Sequence, residues 1–429
     1  MTAPIATNQT ILVVGGGISG MTAALEAAEC GKQVLLVEKT PTLGGRTAQL
    51  YRYFPKMCHP TCGMEINLKR IKGNPNVRTM TMTQVVAVSG SRGDYKVTLK
   101  VAPRYVNENC TACGKCGEAV TTEVADAYNY GLSKVKAAHL PHVMAYPQRY
   151  VIDASIVGTP EGEAARAACP VNAVDLGMKE ETIEINVGAI VWATGWRPFD
   201  ANKIQPYGYD RFDNVITSVE FERLADPHGP TSGRLLRPSD GQPAKNIAFI
   251  QCAGSRDENY LRHCSRICCM ASLKQTQYVR EAWGDEGKST VYYIDIRAID
   301  RFEDFYANVW KDSTVSFVKS KVARIAENEA NGNPILHGVN TEGYHRYATE
   351  HDLVVLAVGM EPEVTGVKLP ADVIMDSSNF IEGSKDGGMF GAGAASSPLD
   401  VNRAVQSATA ASLKAIQVIH KNASTEAAQ

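Results

Sequence analysis

Four cysteines stand within eighteen positions in QCAGSRDENYLRHCSRICCM, residues 251–270: Cys252, Cys264, Cys268 and Cys269. Four thiolates match the four irons of a 4Fe–4S cubane, and the C-x11-C-x3-C-C spacing lets a strand end and a helix start converge on one point. Zinc takes the same ligands, although the neighbouring Cys268 and Cys269 suit a compact tetrahedron poorly. Plain burial of all four is the remaining reading.

A second group is Cys110, Cys113 and Cys116 in CTACGKC, with Cys169 following in ARAACPVNAVDL. Two-cluster ferredoxins carry two C-x2-C-x2-C-x3-C-P runs, and each cluster takes three cysteines from one run and the last from the other. Here the first run has Val120 at its fourth position, and the second has Thr159, Gly162 and Ala165 where its first three cysteines would stand. One cluster keeps every ligand and the other keeps none. The pattern predicts a ferredoxin-like insert with a single 4Fe–4S cluster; the alternative is a relic held by packing. The chain has eleven cysteines, and such clustering favours ligation over a disulfide framework in a reducing compartment. Cys58 and Cys62, in YFPKMCHPTCGMEI with His59 between them, permit a redox dithiol, a centre shared with a partner, or burial.

These ligands need a scaffold, and the N-terminal sequence points to one. ILVVGGGISG, residues 11–20, is an apolar strand running into Gly15-x-Gly17-x-x-Gly20, followed by a helical pattern and by QVLLVEK, a strand ending in Glu38. Gly15 permits the tight turn, Gly17 the approach of a pyrophosphate and Gly20 close helix–strand packing, while Glu38 accepts from ribose hydroxyls. Ile18, Ser19 and Lys39 flank these positions. Gly44, Gly45 and Arg46 in LGGR form a loop suited to a flavin's phosphates. AIVWATGWRP, with Ala193, Thr194 and Gly195, and DLVVLAVGMEP resemble the two domain crossings of the glutathione- and thioredoxin-reductase superfamily. MFGAGAASSPLDVNRAVQSATAAS resembles its last strand and flavin-facing helix, with Gly391 and Gly393 kept and Ala394 where an acidic residue is usual. Val86 completes the expected flavin contacts, and the cofactor is read as FAD.

The second nucleotide domain of that superfamily would lie at 241–345. Its strand KNIAFI is present, but the following loop, QCAGSRD, has the single Gly254, so no NAD(P)H site is expected there. Cysteines occupy the vacated place. Lys274, five residues past Cys269, is either an ordinary exposed lysine or a cation stabilising an anionic reduced flavin.

The expected fold is α/β: a flavoprotein with two dinucleotide-binding domains and an inserted ferredoxin-like domain. The segments are 1–100, 181–240 and 346–429 for the FAD-binding domain, 101–180 for the insert and 241–345 for the NAD-domain-like region. The 429 residues are 44% hydrophobic, enough for such cores, and a formal charge of −2 without basic runs argues against nucleic acid. Nothing approaches the roughly 18 apolar residues of a membrane span, and the polar N-terminus lacks signal-peptide character. A cytoplasmic location is expected, with any membrane link made through a partner. The sequence shows no Ser-His-Asp set, Walker loop or HExxH motif.

GGGISGMTAALEAAECGKQVLLVEK, LGGR, CTACGKC, the 251–270 stretch and GAGAASSPLDVNRAVQSATAAS together resemble the heterodisulfide reductase A family. Within it, the single-cluster insert and MCHPTCGMEINLKR are most similar to the branch found in quinone-interacting membrane-bound oxidoreductase complexes of sulfate reducers. The resemblance implies an oxidoreductase subunit with FAD and two 4Fe–4S clusters. It would carry electrons between a membrane quinol-oxidising partner and adenylylsulfate reductase, beside a homologous flavin/iron–sulfur protein and a haem-bearing membrane subunit. Flavin bifurcation, a pyridine-nucleotide disulfide reductase using Cys58 and Cys62, and a structural flavoprotein scaffold whose clusters do not turn over are the alternatives.

Overall fold

A computed structural model describes residues 5–426. Contacts divide the chain into two units: the first runs to Ala48, resumes over Thr61–Trp196 and again from Pro362, and the second comprises Gln49–Pro60 and Arg197–Glu361.

The first unit is built on a seven-stranded sheet in the order Ile374–Met375, Ile381–Gly383, Met389–Gly391, Ala189–Trp192, Thr10–Val14, Gln33–Val37, Val77–Met80. The last five strands run parallel, with Val13 in register with Val191 on one side and Leu36 on the other. Covered on both faces, these strands read as continuous apolar runs rather than as alternations. One face packs on the helix Ile18–Glu29 and on Val401–Glu426. Ala23, Ala24 and Ala27 there meet Ala408, Ala411 and Ala415, and the Ser412 hydroxyl donates to Ala23 O at 3.0 Å. The other face packs on an antiparallel sheet of Thr83–Ser91, Asp94–Val101 and Glu181–Val187. In Asp94–Val101 Tyr95, Val97 and Leu99 point inward, alternating with polar residues as a half-buried strand does.

Between these strands lies the insert, with the short hairpin Glu123–Ala125/Lys134–Lys136, the pair Ala138–His139/Val151–Ile152, and the helices Lys115–Glu118 and Pro160–Ala167. The positions that would ligate a second cluster do structural work. Val120 and Ala165 are buried in the insert's core. The Thr159 hydroxyl accepts from Gly162 N and caps the second helix, and a Cβ on Gly162 would stand 2.3 Å from Ile156 O.

The second unit has a five-stranded parallel sheet in the order Val215–Thr217, Leu353–Val358, Asn246–Ala253, Lys288–Tyr293, Val315–Lys319. An antiparallel sheet of Arg324–Asn328, Asn333–Asn340 and His345–Glu350 accompanies it. Thr217 and Glu220 form a capping box that starts the helix Ser218–Ala225. The sequence-based boundaries need correction here. Residues 197–240 and 346–361 join the second unit rather than the FAD-binding domain, because Val215–Thr217 and Leu353–Val358 hydrogen-bond into its sheet. Gln49–Pro60 belongs to it too. Tyr51 N donates to Glu222, Arg52 pairs with Glu281 at 2.7 Å, and the Phe54 ring meets Phe302.

Candidate flavin and cluster sites

At the end of Thr10–Val14 the chain turns through Gly15, Gly16 and Gly17 into a helix. Gly15 has φ +108°, and a Cβ there would lie 2.3 Å from Ala193 O; one on Gly20 would lie 1.7 Å from Gly15 O. Turn, helix and neighbouring strand therefore touch through bare backbone. Gly17 differs. A Cβ on it would meet only Gly45 Cα, at 3.9 Å, so the space above the turn is open and the helix start carries no side-chain cap. Uncapped helix N–H groups beside an open cradle suit a pyrophosphate. Glu38 is buried and its carboxylate accepts from the amides of Gly16 and Thr40, which ties the second strand to the glycine turn.

Other expected flavin contacts gather around this turn. Gly44 N donates to Gly16 O at 2.9 Å, and Gly393, with φ +61°, lies where a Cβ would be 1.9 Å from the Ser19 hydroxyl. Ala394 is buried and offers no polar side-chain atom. The Thr194 hydroxyl, between Ala193 and Gly195, is buried with no hydrogen-bond partner among the described residues, as a group awaiting a ligand would be. Lys39 pairs with Glu363 at 2.6 Å. Arg46 donates to Trp196 O at 3.0 Å and to the Tyr130 hydroxyl at 3.2 Å, so it joins the loop to the insert. Val86 lies on the partly irregular strand Thr83–Ser91 with its side chain 43% exposed.

The eight paired-off cysteines line two pockets, four in each. Cys110, Cys113, Cys116 and Cys169 line one of about 280 Å3, together with Val106, Val171, Val174 and Tyr150. Burial pushes the Cys116 thiol up to about 11. Burial also acts upward on Cys169, but the amides of Ala173, Val171, Val174 and Asn172 outweigh it and bring that thiol below its ordinary value; Ala173 N lies 3.1 Å from the sulfur. Cys252, Cys264, Cys268 and Cys269 line the other, of about 300 Å3, at the end of Asn246–Ala253 and the start of the helix Cys268–Trp283. Burial raises Cys268 well above the usual thiol range and Cys269 to about 11, and it raises Cys252 against the pull of Arg256.

Among the described residues no group of three or more His, Cys, Asp or Glu converges tightly enough for a single metal ion. The thiols instead surround a space, and no imidazole or carboxylate lines either pocket. Four thiolates around one space are a donor set that fits a sulfide-bridged four-iron body and also a tetrahedral zinc ion.

Two groups of residues stand apart from the sequence-based expectation. Lys274 is fully buried, 2.8 Å from Glu222, and donates to Arg52 O at 2.6 Å. It is not an exposed lysine: its ammonium is enclosed between Glu222 and the Arg52 carbonyl. Cys58 and Cys62 are exposed free thiols assigned to different units. The residues missed are Arg256, Arg266 and Arg297, which line the second pocket; isolated arginines in a loop carry no periodic signal.

Comparison with known proteins agrees with this architecture. A family model for FAD dependent oxidoreductases matches residues 10–156. Among solved structures, thioredoxin reductases of Lactococcus lactis and T. acidophilum superpose with TM-scores of 0.53 and 0.52 at 13% and 12% identity, covering 96% and 97% of this chain and 99% of each of those. The fold is that of the two-dinucleotide-binding-domain flavoproteins, and the family match places an FAD dependent oxidoreductase pattern on residues 10–156. Closer relatives are A-type subunits of CoB-CoM heterodisulfide reductases. That of the ferredoxin-linked enzyme of Methanosarcina mazei is 35% identical over 96% of this chain and 53% of its own length, and an iron-sulfur subunit of the Methanopyrus kandleri enzyme is 37% identical over 94% and 63%. The chain belongs to the heterodisulfide reductase A family, and it spans between about half and two thirds of the length of these relatives.

Proposed function

We propose that this chain is an electron-transfer subunit that holds one FAD on the glycine turn and two 4Fe–4S clusters, one in each cysteine-lined pocket. The insert is then a ferredoxin-like module with a single cluster. The observation that carries this reading is the sorting of eight cysteines, from three separate stretches of sequence, into two sets of four around two spaces of similar size. Bound FAD would supply a two-electron centre able to exchange single electrons with such clusters. The chain's own contribution is to bind and to exclude water. The Ile18–Glu29 helix start and Gly17 receive the pyrophosphate, Glu38 the ribose, and the buried Cys269 with the half-buried Cys268 keeps solvent from the second pocket.

The partners follow from the family and from the branch this sequence resembles. The chain works in a multi-protein complex with a homologous flavin/iron–sulfur protein and a haem-bearing membrane subunit, and it passes electrons between quinol oxidation and adenylylsulfate reductase. Among the described residues no helix is long and apolar enough to cross a membrane, in keeping with attachment through such a partner.

Anaerobic purification followed by flavin, iron and sulfide counts tests the core of the proposal. The expected result is one FAD and about eight irons per chain, falling by about four in Cys116→Ser and by about four in Cys268→Ser. Zinc in place of iron, or loss of all the iron in either variant, would refute it.

A further inference from the structure

The two pockets are lined differently. Apart from its cysteines, the first is lined by apolar and neutral residues, whereas the second is lined by Arg256, Arg266 and Arg297. Arg256 reaches to 3.9 Å from the Cys252 sulfur and pairs with Asp295. Arg297 Nε lies 3.4 Å from the same carboxylate. Arg266 donates its backbone N–H to the Cys264 sulfur at 3.3 Å, and its Nε is buried with no partner in the described residues. Cys252, Arg256 and Arg266 all have φ between +56° and +67°, a region that L side chains rarely adopt. The loop is thus held in a strained path that brings the Arg256 guanidinium to the Cys252 sulfur and lines the same pocket with Arg266 and Arg297, while Asp295 is the carboxylate paired with Arg256 and Arg297 among the described residues.

Packing alone does not call for this arrangement, because like charges in a confined site repel unless something anionic lies among them. Resting on the reading that a cluster fills this pocket, we propose that Arg256, Arg266 and Arg297, opposed by Asp295, set the reduction potential of the cluster held by Cys252, Cys264, Cys268 and Cys269. Four thiolates around a four-iron core carry about two negative charges when oxidised and about three when reduced. Burial disfavours the added charge and would drive the potential down. Fixed guanidinium charges favour it, and the low dielectric that makes burial costly strengthens them as well. A guanidinium keeps its charge across the accessible pH range, so reduction adds one electron and draws no proton from this cradle. Asp295 works in the opposite sense by neutralising part of the positive field. Neighbouring charge and hydrogen bonding to cluster sulfurs are general determinants of such potentials.

The test is a potentiometric titration of anaerobically purified full-length protein, followed by electron paramagnetic resonance. The signal abolished by Cys268→Ser identifies this cluster, and the signal that persists in that variant serves as the internal reference. Arg256→Gln is expected to make reduction of this cluster at least tenfold less favourable, a shift of about 59 mV to lower potential for a one-electron couple. Arg297→Gln shifts it the same way by less, since that side chain is 43% exposed. Arg256→Lys restores most of the loss, and Asp295→Asn shifts the potential upward. The reference signal stays in place throughout.

A purely structural role for these residues would not reverse sign between arginine and aspartate variants. Unchanged potentials in Arg297→Gln and Asp295→Asn with the cluster retained would overturn the inference, and so would shifts of one sign or equal shifts in both signals. If Arg256→Gln loses its cluster, Arg297→Gln and Asp295→Asn still decide the matter. If wild-type protein has no signal that depends on Cys268, the cluster reading itself fails, and that result is distinct from a cluster whose potential ignores its arginines.

Discussion

The first unit passes from strand to helix in three residues, Gly15, Gly16 and Gly17, while the second takes residues 254–267 to travel from Asn246–Ala253 to Cys268–Trp283. Both turns stand at the end of an interior strand of a parallel sheet, where α/β proteins place ligands. The first turn is cleared of side chains, because a phosphate is bound by backbone N–H groups and each Cβ would be in the way. In the proposed reading the second is long and populated because sulfur ligands arrive on side chains and need backbone to bring them round a pocket. Even Gly254, the glycine that remains there, offers no cradle: the Phe199 ring lies 2.3 Å from where its Cβ would stand. One architectural position thus serves two chemistries, according to whether the loop withholds side chains or supplies them.

The contrast is broken most severely at Gly20. Gly20→Val forces the helix away from the turn, since a Cβ would stand 1.7 Å from Gly15 O. Overpacking of this kind costs about 1–3 kcal/mol or more. The expected outcome is protein that keeps iron at Cys268 but is purified without flavin, read from its absorbance and iron count.

A loss of stability rather than of cofactor is expected of Lys274→Met, which takes the ammonium partner from the buried Glu222 carboxylate and leaves it the Tyr51, Gln275 and Tyr278 donors. Breaking a buried pair in this way costs about 3–5 kcal/mol. Denaturant unfolding should register that loss, while flavin content and flavin potential stay as in wild type. A shifted flavin potential without loss of stability would restore the flavin-tuning role expected of this lysine from sequence.

A smaller effect separates the units by pH. His351 bridges the Tyr292 hydroxyl and Asn246 Oδ1, both at 3.0 Å, and burial brings it down to about 4. An unfolded chain protonates this group near 6.5, so between 6.5 and 4 the unfolded state binds a proton that the folded state refuses. Stability of the second unit should fall across that window by up to about 3 kcal/mol and level off below it. His351→Gln should flatten the slope, as measured by urea midpoints at several pH values.

The glycine turn was legible because its logic is local: strand, three spaced glycines, helix and Glu38 lie within one short stretch. The two cysteine sets were legible because thiols are scarce and their spacings are restrictive. Lys274 was not, because its partners Glu222 and Arg52 are far away in sequence and only folding shows that the ammonium is enclosed. The charge around the second pocket escaped for the same reason, with Asp295 and Arg297 arriving from a different strand end than Arg256. The boundaries erred where a strand's partner was chosen by the fold: nothing in VIT or LVVLAV states which of two parallel sheets it will join.

The polypeptide threads from one unit to the other four times, after Ala48, Pro60, Trp196 and Glu361. Neither unit can therefore be released by a single cut or made as an uninterrupted fragment. During synthesis the glycine turn emerges before Met389–Gly391 and Val401–Glu426, which complete its sheet and the helix layer on it. On the proposed reading coenzyme capture is a late event in the life of the nascent chain, and a truncation that removes Val401–Glu426 is expected to cost the protein its yellow colour before it touches a single cysteine.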